Sequence, residues 1–417
     1  MPSISAGDTA WVLASAALVM LMTPAVGFFY GGLVRRKNVL ATIMHSFFIL
    51  CLVSVQWALW GFTLAFGPDA NFLGFFHGFI GGLQWLGLQG VGQTPSSYAP
   101  TVPALAFCVF QMMFAAITPA LISGGFAERK HFRAFVIFTL LWATLVYDPV
   151  AHWVWGQGGW LNKLGTLDFA GGTVVHITSG VSALVAAFVL GRRLGVAPDR
   201  NTEPHNMTYV VLGAALVWFG WFGFNAGSAL AANGLAASAF VSTNLAAAMG
   251  ALTWMTLHWW RKGNPSVLAA AAGSVAGLVA VTPACGFVTP LGAILIGFGA
   301  GAVCFTAIQW RERMHRVDDS LDVWAVHGIG GTWGALATGL FATVAVNAAG
   351  ANGLFAGNPH QLAVQAIAVS VSWIYAGGMT YAILKVIERF VPLRVSQGEE
   401  ERGLDESQHA EVAYQLQ

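Results

Sequence analysis

Of the chain's 417 residues 56% are hydrophobic and only 9% charged, its formal net charge is +1, and it holds 17 Trp and 50 Gly. That profile is polytopic and membrane-embedded, and it excludes a water-soluble globular enzyme and a basic nucleic-acid binder. The four cysteines (Cys51, Cys108, Cys285 and Cys304) sit in or at the ends of apolar stretches without paired metal spacing, so they read as buried thiols, with no metal or cofactor implied.

A helix that crosses a hydrocarbon core of about 30 Å takes roughly 18 or more mainly apolar residues. Eleven candidate runs follow one another near residues 10–33, 40–66, 101–126, 134–150, 167–190, 207–230, 236–260, 266–283, 288–309, 323–345 and 361–388. The opening MPSISAGDTA has no basic residue ahead of the first run, which reads as a retained span and not a cleaved signal peptide. Connections are short except for residues 67–100 and the charged tail.

Lys and Arg stay on the cytoplasmic side of a membrane protein. Here they occupy alternate loops: Arg35, Arg36 and Lys37; Arg129, Lys130 and Arg133; Arg192, Arg193 and Arg200; Arg261 and Lys262; Arg311, Arg313 and Arg316. Lys385, Arg389, Arg394 and Arg402 follow at the end of the last span and in the tail, and of 19 basic residues only Lys163 falls in a loop of the opposite set. The predicted architecture is therefore an all-α polytopic membrane protein of eleven transmembrane helices, N-terminus outside and C-terminus inside. Its membrane domain covers 1–390 (spans 1–5 near 10–190, spans 6–10 near 207–345, span 11 near 361–388), and 391–417 form a cytoplasmic tail.

Two segments are similar to each other. Aligning VHITSGVSALVAAF on VHGIGGTWGALATG sets His176 over His327, with Gly180, Ala183 and Ala187 matching Gly331, Gly334 and Thr338. Those offsets lie on one helical stripe, so each histidine heads a smooth face suited to close packing. The two helices are the fifth and tenth spans, and a unit with an odd number of spans re-enters the membrane with opposite polarity. Five plus five plus one extra helix predicts an inverted-topology repeat, with a binding site near the midplane between the halves.

One imidazole in a span can be a packing residue whose ring nitrogens find partners. Two at repeat-related positions point to function, because intramembrane ionisable groups are costly. Neutral imidazole has one donor and one acceptor and can pass a proton between its nitrogens, while two rings in contact carry at most one shared positive charge. Simple spacing sets His327 nearer the cytoplasm than His176, so contact between them calls for Asp322 to be drawn inward. Asp168 has two readings: an N-cap of span five, or an acid that shapes the outer mouth without touching the cargo. Asp322 has the same two, and Asp148 is predicted at the outer end of span four.

Rings crowd the outer ends of several spans: Phe110 and Phe114, Trp153 and Trp155, then Trp221, Phe222 and Phe224. Taken singly they fit an interfacial aromatic belt. Together they can attract a desolvating cation by up to about 2 kcal/mol each, with Ser228 adding a hydroxyl acceptor. No motif offers a carbonyl-lined potassium filter, and no carboxylate cluster suits a divalent metal.

These residues carry a resemblance. The segments FYGGLVRRKNVL (29–40), FAAITPALISGGFAER (114–129), DFAGGTVVH (168–176), WFGFNAGSA (221–229), VTPACGFV (281–288), DVWAVHGIGG (322–331) and RGLDESQHAEVAY (402–414) resemble, in this order and over essentially the whole chain, the ammonium transporter (Amt/Mep/Rh) family, its bacterial and archaeal Amt branch above all. The resemblance implies eleven helices, a homotrimer with one path per subunit, and no enzymatic activity. It implies that Phe114, Trp155 and Ser228 form an outer ammonium-recruiting site, with Phe110 and Gln111 beside it and Trp221 nearby. Phe114 and Phe224 match the gate, His176 and His327 the twin pore histidines, and Asp168 a structural acid. Thr282 falls in the matching stretch of span eight with no contact assigned. The tail departs from the pattern in having Ala410 where the family usually has Gly, and His45 and His77 match nothing usable.

Ammonium and potassium are similar in size and charge, so a narrow oily pore separates them by what each can shed. A charge at bilayer depth costs from about 2.5 to more than 10 kcal/mol, which potassium cannot escape, whereas ammonium can lose a proton and cross as ammonia while the paired imidazoles relay the proton. Methylammonium is a second expected substrate, in the plasma (inner) membrane. One rival is an ammonium sensor with little flux; another is a membrane cytochrome with His176 and His327 as haem ligands. A PII-type signalling protein is a possible partner, at the loop GRRLGVAPDRNTEPHN (191–206) and the tail.

Overall fold

The computed structural model describes residues 3–70, 77–196, 203–314 and 317–414; Arg200, Arg316 and the middle of the 191–206 loop lie outside them. Among the described residues, nine helices are long and apolar enough to cross a membrane: Ala6–Leu33, Arg36–Phe66, Ala104–Phe126, Phe132–Leu164, Gly172–Leu190, Met207–Gly227, Gly234–Lys262, Pro290–Arg313 and Pro359–Glu388. The eighth and tenth predicted runs are helical as well but shorter, over Val267–Val281 and over a π turn, Trp324–Ile329, that continues into Gly330–Phe341. We number these eleven helices in chain order. The third begins later than the predicted 101, because Ala99–Pro103 pairs with Pro95–Ser96 as a short antiparallel hairpin.

Side chains at the ends define the helices. Ser5, Asn233 and Ser266 accept main-chain N–H groups of the first, seventh and eighth helices, satisfying donors that have no intrahelical partner. Arg261 and Lys262 close the seventh at its negative end. The first helix packs along the sixth, the seventh along the eighth and ninth, and the eleventh against the fifth and tenth. Outside this bundle large apolar residues face outward, Ile374 at 75% and Leu291 at 66% exposure among them, as suits helices solvated by lipid. Cys51 belongs to that outer surface and is exposed, against the expectation of a buried thiol, whereas Cys108, Cys285 and Cys304 are buried. Asp148 also departs from expectation: the fourth helix runs on unbroken past it to Trp155, where Gly156 interrupts it, so the carboxylate is buried within the helix and accepts from Gln56 Nε2 at 2.8 Å.

The ends rich in Lys and Arg are tied together by charge. Arg193 grips Asp318 with Nε and Nη2, both at 2.8 Å, and Glu128 takes Arg35 Nε at 2.8 Å and Arg193 Nη1 at 3.2 Å. The tail adds two short helices, Gln397–Arg402 and Leu404–His409. Glu400 accepts from Arg394 Nη2 at 2.8 Å and from Leu194 N–H at 2.6 Å, while Asn38 and Lys37 of the first basic loop bond Leu404 N–H and the Glu400 carbonyl. Lys130 is buried between the Phe126 and Phe138 rings, its Nζ 5.5 and 5.3 Å from their centres. Burial, with Arg129 beside it, pushes this ammonium down to about 7.

Candidate functional site

The site is a column of rings between the third, fourth, fifth, sixth and tenth helices. At the end of the column away from the Lys- and Arg-rich loops, Phe114 meets Phe110 (centroids 4.9 Å apart) and the edge of Trp155 (6.1 Å). Gln111 stands one helical turn outward from Phe114 and leaves its buried Oε1 without a partner. Ser228 donates its hydroxyl hydrogen to the Phe224 carbonyl at 2.8 Å, which leaves its oxygen lone pairs free. Phe114 and Phe224 then lie ring against ring at 4.1 Å and an angle of 31°, closing the column below the mouth.

Beneath them His176 stacks on Trp221 at 5.3 Å and on Phe224 at 6.0 Å. Its Nδ1 is 3.2 Å from His327 Nδ1, and the two rings are 1% and 4% exposed. Between two nitrogens at that distance one donates and the other accepts. A cavity of about 20 Å³ surrounds the pair, lined by Val26, Ile117, Leu121 and Val217 with few polar atoms. His327 also borders a wider vestibule of about 380 Å³ that Tyr30, Glu312 and Asp322 help to line.

Backbone geometry brings the histidines together. Each lies in a π turn, Gly172–Ile177 or Trp324–Ile329, and the two helices cross at main-chain contact: a Cβ on Gly180 would stand 2.0 Å from Gly328 N. Asp322 is not drawn inward as the spacing argument required. It adopts a left-handed φ of 58° and turns its carboxylate to Arg311 at 2.7 Å, so it does not cap the tenth helix.

Asp168 caps the fifth helix and takes no other ligand. Its Oδ1 accepts from Gly171 and Gly172 N–H, each at 2.7 Å, and its Oδ2 from Thr173 and Val174 N–H at 2.7 and 3.2 Å. Its carbonyl accepts Trp155 Nε1–H at 2.8 Å, which fixes the mouth indole. Its carboxylate thus matches the capping reading, while its carbonyl ties the helix start to Trp155. On the tenth helix the equivalent is Asp319, whose Oδ2 accepts Trp324 N–H at 2.7 Å while Oδ1 has no partner. Burial and neighbouring Asp322 push its carboxyl up to about 6 despite Arg311. Sequence reasoning missed Asp319, although it stands eight residues before His327 just as Asp168 stands eight before His176.

Residues 10–414 match the family model described as the Ammonium Transporter Family. The chain belongs to that family. An ammonium transporter of Bacillus subtilis is 52% identical over 98% of each chain, and ammonium transporter Amt1 of Archaeoglobus fulgidus is 49% identical over 99% of this chain and 100% of its own length. A solved structure described as a Sensor Amt Protein superposes with a TM-score of 0.89 at 29% identity, over 98% of each chain. The protein is thus a multi-pass membrane transporter of the ammonium family, matched by both bacterial and archaeal relatives.

Within this family member, two rings named from sequence stand apart from the column. Phe222 stacks on Phe240 at 3.9 Å, and Trp153 packs on Phe79, Trp160 and Tyr375. Thr282 gains a contact that sequence did not assign, accepting Trp221 Nε1–H at 2.9 Å. Ala410 occupies a left-handed position, φ 54°, at the end of the last tail helix, a conformation that favours Gly.

Proposed function

We propose that the transporter recruits ammonium at Phe114, Trp155 and Ser228, with Phe110 and Gln111 beside them, strips one proton near the Phe114–Phe224 gate, and conducts ammonia past His176 and His327. The contact between His176 Nδ1 and His327 Nδ1, 3.2 Å apart inside an apolar cavity, carries this reading. So small a cavity cannot hold a hydrated cation, while a neutral ammonia finds a lone pair or an N–H on each ring. A proton entering at one imidazole leaves from the other nitrogen of its partner, so two rings can pass it on without a permanent charge. Asp168 acts as the structural acid that keeps Trp155 in place, its four acceptor directions already filled.

The same reading takes all eleven helices as crossing the membrane, in two five-helix halves of opposite polarity plus one, with the N-terminus outside, in the plasma membrane, as a homotrimer. Residues 1–390 form the membrane domain and 391–417 the cytoplasmic tail, which with the 191–206 loop offers a surface for a PII-type protein.

Electrophysiology on proteoliposomes tests it. Ammonium and methylammonium should each give current, potassium none, and replacing His176 and His327 together with Leu should abolish the ammonium current. Unchanged current in that variant with potassium still excluded overturns the relay. A second reading, a sensor with little flux, draws on the likeness to the sensor structure; vesicle uptake of labelled methylammonium separates the two.

A further inference from the structure

The outer end of the fourth helix holds a titratable cluster that conduction leaves unused. His152 is wholly buried, with Nδ1 3.0 Å from the Ala65 carbonyl oxygen on the second helix and Nε2 2.8 Å from Asp69 Oδ1 in the loop that follows. A carbonyl oxygen only accepts, so Nδ1 donates. Asp69 Oδ1 also accepts Gly78 N–H at 2.9 Å. Burial pushes the Asp69 carboxyl up, but the hydrogen bonds from His152 and Gly78 and the charges of His152 and Lys163 outweigh it and hold the group below the usual carboxylate range. An ionised carboxylate likewise only accepts. Both ring nitrogens therefore donate, and a ring with two N–H groups is an imidazolium.

The clasp lies against the mouth. Trp155, whose indole closes the recruiting site, is three residues further along the same helix. The far side of the loop returns to that helix end, where Trp153 Nε1 donates to the Phe79 carbonyl at 2.7 Å and Trp160 N–H to the Gly78 carbonyl at 3.1 Å. Gly158 makes room for the carboxylate, since a Cβ there would stand 2.6 Å from Asp69 Cγ. Other ionisable groups near the pair are His77 and Lys163, whose nitrogens lie 3.9 and 3.8 Å from Asp69 Oδ2, and Tyr98, whose hydroxyl donates to the Phe66 carbonyl. Asp148 lies one turn back on the helix, bonded to Gln56. His77 and Lys163 are exposed on the loop surface, where solvent and salt weaken their pull on the pair.

We infer that His152 is a positioning residue: its imidazolium, clasped between Ala65 and Asp69, holds the outer mouth in its recruiting shape and lets go when the outside turns alkaline. Losing the ring proton sets a lone pair against an acceptor oxygen and leaves the carboxylate uncompensated, so one of the two bonds must break. The consequence for flux rests on the ammonium-transport reading above; the clasp itself does not.

Asp69→Asn provides the test, because an amide can donate to a neutral His152 Nε2 without a shared proton; the Gly78 N–H bond to the same atom is then lost at every pH, so the comparison reads the pH dependence of opening and not its absolute level. At a fixed ammonium-ion concentration, wild-type current should fall by about threefold or more as the outer pH rises from about 6 to about 9, the range in which histidine changes charge. In D69N the fall should stay below about twofold, and His77→Gln should keep the wild-type profile. Hydrogen exchange of the 77–82 amides, with wild type and D69N compared at each pH, reports the loop directly. Extra opening on the alkaline side in wild type alone supports the clasp. Equal opening in both, or equal alkaline loss of current in both, overturns it. A wild type without ammonium current at any pH would instead overturn the transport reading, and the exchange comparison would still decide the clasp.

Discussion

The two histidine-bearing helices begin alike and are held differently. Before the fifth helix Asp168 takes four consecutive main-chain N–H groups from its own helix. Before the tenth Asp319 takes one such bond, leaves an oxygen bare, and sits among Asp322, Arg311, Arg193 and Asp318. The Asp168 rim is thus rigid by local hydrogen bonding, which neither salt nor distant residues easily alter. The Asp319 rim is held by charges from several loops and from the tail, and charge responds to pH, ionic strength and partners. One end of the ring column is built to be fixed and the other to be adjusted.

The sharpest attack on this contrast is Asp168→Ala. It strands four buried N–H groups at roughly 1–3 kcal/mol each before relaxation, so we expect uptake to be lost and the unfolding temperature in detergent to drop far more than for Asp319→Ala. Similar drops in the two variants would erase the distinction between the rims. A medium effect is expected from Asp319→Asn. With its carboxyl raised to about 6, the folded state binds a proton that the unfolded chain releases nearer pH 4. Stability should therefore fall as pH rises through that window, by at most about 3 kcal/mol. The Asn variant should flatten this part of the melting-temperature profile, and an unaltered slope would assign it to another group. The smallest effect belongs to Ala410→Gly, which relieves a left-handed Ala and should stabilise the docked tail by about 0.5–1 kcal/mol. Slower hydrogen exchange in residues 397–409 would register the gain, and faster exchange would mean that the tail gains nothing from Gly there.

Much of this was legible in the chain. Apolar run lengths located the helices, and the match of His176 to His327 singled out the pair that meets. The aromatic clusters pointed to rings that converge in one column, but single rings were ambiguous: Trp153 and Phe222 share local sequence with Trp155 and Phe224 and point elsewhere, because helical phase decides what a ring faces. The π turns that hold both histidines leave no trace in a 3.6-residue pattern, so spacing alone did not show that the rings touch without Asp322 moving inward. Asp322 drew attention by its closeness to His327, while Asp319 kept the true register eight residues away. The clasp of Ala65, Asp69 and His152, and the seating of the tail on Asn38 and Lys37, join residues far apart in sequence and become visible only in three dimensions.

The touching backbones of Gly180 and Gly328 have a bearing on how such a protein can change. Where two helices meet through side chains, a larger or smaller residue moves them apart or together by degrees. Here no atom remains to trim, and any addition wedges the two helices apart and separates the imidazoles in a single step. The walls around the histidine pair can therefore drift in chemistry while the spacing of the two rings stays put, and under the transport reading proposed above a redesign for a bulkier amine would have to begin at that crossing.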